Sequence, residues 1–146
     1  MFFDDLINSG SLPALEKTLA FTQARHRVLT ENVANIDTPE YRTKHLDPQA
    51  FQRSLREAMG DRRAAGGTGP LELSGTDQVR QDADGRLVIE ASEEPPENVL
   101  FHDGTNTRVE RQMAMLAENA MMHQAVTELL RGRFEGLLKA IRGRIS

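Results

Sequence analysis

The sequence predicts a mainly α-helical protein, in which two long terminal helices pack as an antiparallel helical hairpin or coiled coil around an irregular middle insert. The first observation is a pair of stretches, one near each end, in which core-type residues recur alternately three and four positions apart. The second is a polar middle that contains most of the glycine and proline. We therefore divide the chain into a helical segment at 1–36, an insert at 37–105 and a long helix at 106–146, and expect both ends to form one assembly domain.

Composition excludes several classes of protein. The 146 residues, 38% of them hydrophobic, suffice for one ordinary domain but contain no run of about 18 apolar residues that would predict a membrane span. The first residues, MFFDDLINSG, carry acids where a cleaved secretory signal has cations. A net charge of −4 with mixed signs argues against a nucleic-acid partner, because phosphate binding needs a concentrated basic face. With no cysteine, disulfides and cysteine-ligated zinc are excluded.

The first long helix is predicted to begin at Ser11 or Leu12 and to end near Ile36. Polar residues that favour helix ends follow it, and Pro39 lacks the N–H that a helix needs. Its core-type positions, called here the first seam, have heptad spacing and predict lengthwise packing against another helix. The first seam comprises Leu12, Leu15, Leu19, Thr22, His26, Leu29, Val33 and Ile36.

The insert is predicted to be largely irregular, with two short regular pieces. A short helix from about Pro48 to Met59 would place Phe51 and Leu55 on one face, and a glycine-rich loop at 66–70 follows. Residues 78–91 have the pattern of a β-hairpin turning at Asp84-Gly85, which would need a surface to lie on. Ahead of the first helix, residues 2–8 are predicted to make one short apolar turn.

The second long helix is predicted to begin with a capping box formed by Thr107 and Glu110 and to end near Gly143. It is longer than the first helix by roughly three turns. The part that extends past the first helix, and the outer faces of both helices, therefore need apolar partners in other chains. This predicts a protein that assembles. Its core-type positions, the second seam, are Val109, Met113, Leu116, Ala120, His123, Thr127, Leu130, Phe134, Leu137 and Ile141.

No residue set predicts a catalytic, cofactor-binding or metal site. The four histidines lack the helical i,i+4 pairing and the carboxylate clustering of a metal site, and those at 26 and 123 fall on the seams, where packing is the commoner role. The glycines at 66, 67 and 69 are followed by no Lys-Ser/Thr pair of a phosphate loop. We expect neither enzyme activity nor a small-molecule substrate.

Two motifs carry a resemblance to a known family. Residues Asn32, Val33, Ala34 and Asn35, followed by Thr38, Pro39, Glu40 and Tyr41, resemble the signature of the flagellar basal-body rod proteins. Near the other end, Leu116-Ala117-Glu118-Asn119-Ala120, Gln124, Leu137, Leu138, Ala140 and Ile141 resemble the end of the FlgB-type proximal-rod proteins. The chain departs from the family at Glu31, where the family has alanine, and at Glu40, where it has glycine. Glu40 would therefore have to adopt a negative φ or accept strain.

The resemblance implies a structural subunit of the bacterial flagellar basal body. It implies export by the flagellar type III apparatus without a cleaved signal, and polymerisation in the periplasm into the proximal rod that transmits torque from the membrane ring towards the hook. Implied partners are other copies of the chain, other rod proteins, the rod-base adaptor and membrane-ring proteins. An assembly motif is implied at Asn32, Ala34, Asn35, Thr38, Pro39 and Tyr41, which would set how the chain leaves the helix to meet its neighbour. The alternative is a soluble helical adaptor or secretion-associated protein that forms a discrete complex.

Overall fold

The computed structural model describes residues 10–67, 69–94 and 104–143, with the side chains of 104–107 excepted. The predicted turn at 2–8, the Thr107 side chain of the predicted capping box and one of the four histidines, His102, lie outside the described residues. The chain is mainly helical with a small antiparallel sheet insert. Its elements are α1 (Leu12–Ala34), β1 (Lys44–His45), α2 (Pro48–Ala64), β2 (Val79–Gln81), β3 (Leu87–Ile89), β4 (Ser92–Glu93) and α3 (Gly104–Gly143).

The two long helices, α1 and α3, pack against each other in antiparallel directions. Leu12, at the start of α1, lies in a cluster with Val126 and Leu130, whereas Asn32, near its end, bonds Gln112. As the residue number rises along α1, the residue number of its contacts on α3 falls, so the two helices are antiparallel. At about 1.5 Å per residue, the 23 residues of α1 and the 40 of α3 give lengths of about 35 and 60 Å, so α3 runs well past its partner.

The first helix begins at Leu12, as predicted, with Pro13 in the first turn, where helical N–H groups lack partners anyway. It ends at Ala34, two residues before the predicted end at Ile36. His26 of the first seam is exposed, and the neighbouring Arg25 is buried instead.

The second helix of the chain, α2, is the predicted short helix extended to Ala64. Asp47 caps its N-terminus, since one carboxylate oxygen accepts from the backbone N–H groups of Gln49 at 2.8 Å and Ala50 at 3.1 Å. Its apolar face packs on α1 in a cluster separate from the one that α1 forms with α3. There the rings of Phe21 and Phe51 stack in parallel with their centroids 4.2 Å apart, and both side chains are buried.

The predicted hairpin is confirmed. Strands β2 and β3 pair antiparallel with Val79 opposite Ile89, and Gly85 takes a φ of +77° in the turn between them. The hairpin lies on α1 and α2, because Val79 belongs to the same buried cluster as Phe21 and Phe51. The ammonium of Lys17 on α1 also donates to the Gly85 carbonyl at 3.0 Å.

A second strand pair was not predicted. Lys44 of β1 lies opposite Glu93 of β4, and His45 lies opposite Ser92. Strands of two residues show no alternation in the sequence, so only their long-range pairing reveals them. The pair joins the two ends of the insert next to the end of α1.

Candidate assembly motif at the end of the first helix

The end of α1 is closed by hydrogen bonds from Asn35. Its backbone N–H donates to the Glu31 carbonyl at 3.1 Å, and its side-chain amide donates to the same oxygen at 2.9 Å. The backbone N–H of Ile36 donates to the Val33 carbonyl at 3.4 Å. These bonds occupy carbonyls that the end of a helix leaves without intrahelical partners.

Two consecutive turns then reverse the chain. The Thr38 N–H donates to the Asn35 carbonyl at 2.9 Å, and the Tyr41 N–H donates to the Thr38 carbonyl at 3.2 Å. Pro39 and Glu40 are the central residues of the second turn, and Glu40 has a φ of 62°. Proline at the first central position and a positive φ at the second define a type II turn.

Glu40 carries the backbone strain of this turn. It is the one non-glycine residue with a positive φ among the residues that the structure describes. A left-handed conformation costs an L-residue with a Cβ about 1–2 kcal/mol, whereas glycine adopts it freely. Of the two alternatives predicted for Glu40, a negative φ or strain, the structure has the second. The turn keeps the geometry that suits glycine.

Asn32 is the centre of the motif. It is 2% exposed, and its side-chain amide donates to the Lys44 carbonyl at 2.7 Å and to Gln112 Oε1 at 3.2 Å. Its side-chain oxygen accepts from the Lys44 N–H at 3.0 Å and from the Tyr41 hydroxyl at 3.0 Å. These four bonds match the two donors and two lone pairs of a side-chain amide. One side chain thereby joins α1 to the returning chain, to β1 and to α3.

The groups around Asn32 include an ion pair. Lys44 Nζ lies 2.8 Å from Glu31 Oε1, and this hydrogen bond raises the pKa of Lys44 above its ordinary value. Burial, and then the charge of Glu31, raise the pKa of Tyr41, while the charge of Lys44 offsets part of that rise. The Tyr41 hydroxyl is therefore held protonated and able to donate to Asn32.

The predicted motif thus has two sides. Asn32 and Tyr41 meet inside the junction. Asn35 and Thr38 meet in the first turn, where the Thr38 hydroxyl donates to Asn35 Oδ1 at 3.3 Å. Ala34, Thr38 and Pro39 are exposed at the surface. The inner pair holds the turn in place, and the side chains of the outer residues leave a surface exposed to solvent.

The two predicted seams are distributed unevenly between the interior and the surface. The buried members are Leu12, Thr22, Leu29 and Leu130. The half-buried members are Leu15, Leu19, Val33, Ile36, Val109, Leu116, His123, Thr127 and Leu137. The exposed members are His26, Met113, Ala120, Phe134 and Ile141. The contact between α1 and α3 therefore uses only part of the second seam, and a packing role for the exposed members stays a prediction about contacts beyond this chain.

The predicted seams contained the polar residues Thr22 and His123 of the interface between α1 and α3, but sequence reasoning missed Gln112 and Asn119. Gln112 and Asn119 are buried at 5% and 1% exposure, and the Asn119 amide donates to the Thr22 carbonyl at 2.9 Å. The Thr22 hydroxyl donates to the Leu19 carbonyl and lies 2.9 Å from His123 Nδ1. Gln112, Asn119 and Val126 are seven residues apart, which is the heptad signal that a search restricted to apolar residues overlooks. These polar contacts tie Gln112, Asn119 and His123 of α3 to Asn32 and Thr22 of α1.

Over residues 10–67, 69–94 and 104–143, no three or more side chains of His, Cys, Asp or Glu are grouped so as to hold a metal ion. Within those same ranges, no helix has the length and apolar character needed to cross a membrane.

Known proteins place the chain in a family. No family model matches it. The flagellar basal body rod protein FlgB of Bacillus subtilis is 30% identical to it over 138 residues, which cover 92% of this chain and 95% of that protein. The chain belongs to the FlgB family. FlgB of Cereibacter sphaeroides is 30% identical over 129 residues, covering 87% of this chain and 90% of the relative. FlgB of Escherichia coli K12 is 25% identical over 126 residues, covering 86% and 88%.

Proposed function

We propose that this protein is a structural subunit of the bacterial flagellar basal body, where it assembles into the proximal rod that joins the membrane ring to the distal rod and hook and transmits torque. The observation that carries the proposal is the match to FlgB over nearly the whole of both chains. Membership of a family of rod proteins favours this role over a soluble adaptor that forms a discrete complex. The role is structural and needs no catalytic residue.

The shape and surface of the helix pair support assembly. On the side of α3 turned away from α1, Met113, Met121 and Leu129 are 52%, 67% and 57% exposed. Large apolar side chains at such exposure along one helix are typical of a surface that another protein covers. We propose that these residues, called here the outer face, pack against helices of neighbouring subunits in the manner of a coiled coil.

The two sides of α1 contact different parts of the chain. One side of α1 carries the insert through Phe21 and Phe51, and the other carries α3. Segments 1–36 and 106–146 would then form the assembly domain, while 37–105 braces α1 without covering the outer face of α3. Long helices locked by lateral contacts resist twisting, which is what transmission of torque requires.

The partners proposed are other copies of the chain, other rod proteins, the rod-base adaptor and membrane-ring proteins. Delivery would use the flagellar type III export apparatus, and the working location is the rod in the periplasmic space. The exposed residues Ala34, Thr38 and Pro39 of the assembly motif would contact a neighbouring subunit.

The test is complementation in a strain of the source bacterium that lacks this gene. The wild-type chain should restore swimming and be found in isolated basal bodies. The double variant Met121→Glu with Leu129→Glu should fold with unchanged helical content and yet fail to enter basal bodies, because two buried carboxylates would disrupt the outer face. Gln124→Glu, an exposed polar site on the same helix, is the matched control and should swim normally.

Two results would count against the proposal. Recovery of the wild-type chain only in a soluble complex of fixed size would favour the adaptor. Normal rods built from the double variant would show that the outer face is not an assembly surface. For the motif, normal rods built from Pro39→Ala with Tyr41→Ala would remove its proposed role.

A further inference from the structure

The face of α3 that packs on α1 continues beyond the start of α1, where α1 no longer covers it. Leu130 is buried against Leu12. Phe134, Leu137 and Ile141 follow Leu130 by four, seven and eleven residues, a spacing that keeps them on the same face of a helix. Phe134 is 46% exposed and Ile141 39%, and the adjacent Leu138 is 53% exposed. We call these four residues the apolar end of α3.

The register of the two helices indicates which part of the chain is nearest to this apolar end. Leu12 meets Leu130, Thr22 meets Asn119 and His123, and Asn32 meets Gln112. Extending this antiparallel register beyond the start of α1 reaches roughly residues 133–141 of α3.

The sequence of residues 1–9, MFFDDLINS, has the chemistry to cover that surface. Its apolar side chains fall at positions 2, 3, 6 and 7, a spacing that groups them on one side of a helical turn. Its two acids, Asp4 and Asp5, complement the cations at the end of α3. Those cations are Arg133, Lys139 and Arg142.

The described chain also leaves room for the approach. Gly10, just before α1, has a φ of +67°, and its carbonyl accepts from Arg62 Nη1 at 3.0 Å. Together with the first residues of α1 it borders a hollow of about 270 Å³, whose opposite wall includes Gly132 and Gly136. A Cβ at either of these glycines would meet no atom within 4 Å. Residues preceding Gly10 can therefore come close to the backbone of α3.

We propose that residues 2–8, the N-terminal segment, bind to the apolar end of α3 of the same chain. The contact places Phe2, Phe3, Leu6 and Ile7 against Phe134, Leu137, Leu138 and Ile141. It removes from water the apolar surface left beyond the start of α1, and so limits association of isolated chains through this end. It is independent of the assembly of the outer face.

The test uses the absence of cysteine from the chain, which makes engineered pairs unambiguous. The variant Phe3→Cys with Leu138→Cys is oxidised in dilute solution and analysed on a non-reducing gel. The expected product is an intrachain disulfide that runs as a monomer. Phe3→Cys with Met121→Cys is the matched control, since Met121 is exposed on the other side of α3. The first pair should react at least about ten-fold faster, because docking raises the effective concentration of its two thiols.

Two outcomes of the crosslinking would overturn the proposal. Disulfides formed only between chains would make the occupant a second copy. Equal rates for the two pairs would mean that the N-terminal segment has no preferred position.

Hydrogen exchange gives a second measurement that needs no crosslink. The variant Phe2→Ser with Phe3→Ser should raise amide exchange of residues 132–143 by about ten-fold or more, while residues 112–126 keep their protection. Asn8→Ser, a polar exchange in the same segment, should leave both regions unchanged. Exchange of residues 132–143 that is unaffected by the double variant would overturn the proposal.

Discussion

Replacing Asn32 by alanine is expected to destabilise the fold far more than the loss of one surface amide. The side chain makes four hydrogen bonds, and two of them are to the N–H and the carbonyl of Lys44 in the half-buried strand β1. The substitution leaves both backbone groups and Gln112 Oε1 without their partner. The Tyr41 hydroxyl is on a half-exposed residue and can turn to water.

The magnitude follows from the number of groups left unpaired. A buried donor or acceptor without a partner costs about 1–3 kcal/mol, and the partial burial of β1 puts each Lys44 group at the lower end. Asn32→Ala should therefore lower the free energy of unfolding by about 2–4 kcal/mol, from a total that for a small domain is about 5–15 kcal/mol. With a urea dependence of about 1–3 kcal/mol per M, the midpoint should fall by about 1–3 M.

The assay is urea unfolding followed by far-ultraviolet circular dichroism. Asn35→Ala is the matched control, because both side-chain bonds of Asn35, to the Glu31 carbonyl at 2.9 Å and from the Thr38 hydroxyl at 3.3 Å, are exposed to water. Their loss should cost less than about 1 kcal/mol. Asn32→Asp keeps the shape but turns oxygen towards the Lys44 carbonyl, so it should be at least as destabilising as alanine. An Asn32→Ala midpoint equal to that of the wild type would refute the reasoning that this residue joins the three elements.

Three further predictions follow from individual residues. Glu40→Gly should raise the free energy of unfolding by about 0.5–1 kcal/mol in the same urea assay, because relief of the left-handed strain exceeds the added freedom of glycine in the unfolded chain. A urea midpoint lower than that of the wild type would contradict backbone strain at the Glu40 φ of 62°. Tyr41 is the only tyrosine, so its phenolate absorbance can be titrated directly. Burial and Glu31 raise the pKa of Tyr41 above 10.0, so we expect a titration midpoint above 10.0 in the native protein and a midpoint closer to 10.0 in Glu31→Gln. The contribution of Tyr41 to stability should be full below pH 10.0 and should fall as the pH rises past 10.0, because the unfolded chain releases this proton first. A native midpoint at or below 10.0 would contradict the partial burial of this hydroxyl beside Glu31. Phe51→Ala should lower the free energy of unfolding by about 3–5 kcal/mol through loss of the stacked pair with Phe21, whereas Leu129→Ala, at a site 57% exposed, should lower it by less than about 1 kcal/mol. Similar losses at the two sites would contradict the placement of the core between α1 and α2.

Local signals let the sequence by itself determine much of this protein. Pro13 and the polar run from Asn35 to Pro39 placed the start and end of α1 to within two residues, because these residue types act on the backbone next to them. Asp84-Gly85 placed the hairpin turn for the same reason. The motif from Asn32 to Tyr41 and the match near Asn119 carried the resemblance to the rod proteins, which the relationship to FlgB confirms.

Only the tertiary structure decided which surfaces meet. A pattern of apolar residues does not reveal that the polar residues Gln112 and Asn119 face α1. Their burial depends on hydrogen-bond partners that lie some 80 to 97 residues away in the chain. The same holds for Asn32, which looks like an ordinary polar residue of a helix until Lys44, Tyr41 and Gln112 surround it. A polar side chain can be buried only where the fold supplies its hydrogen bonds, and that condition is satisfied in space rather than along the sequence.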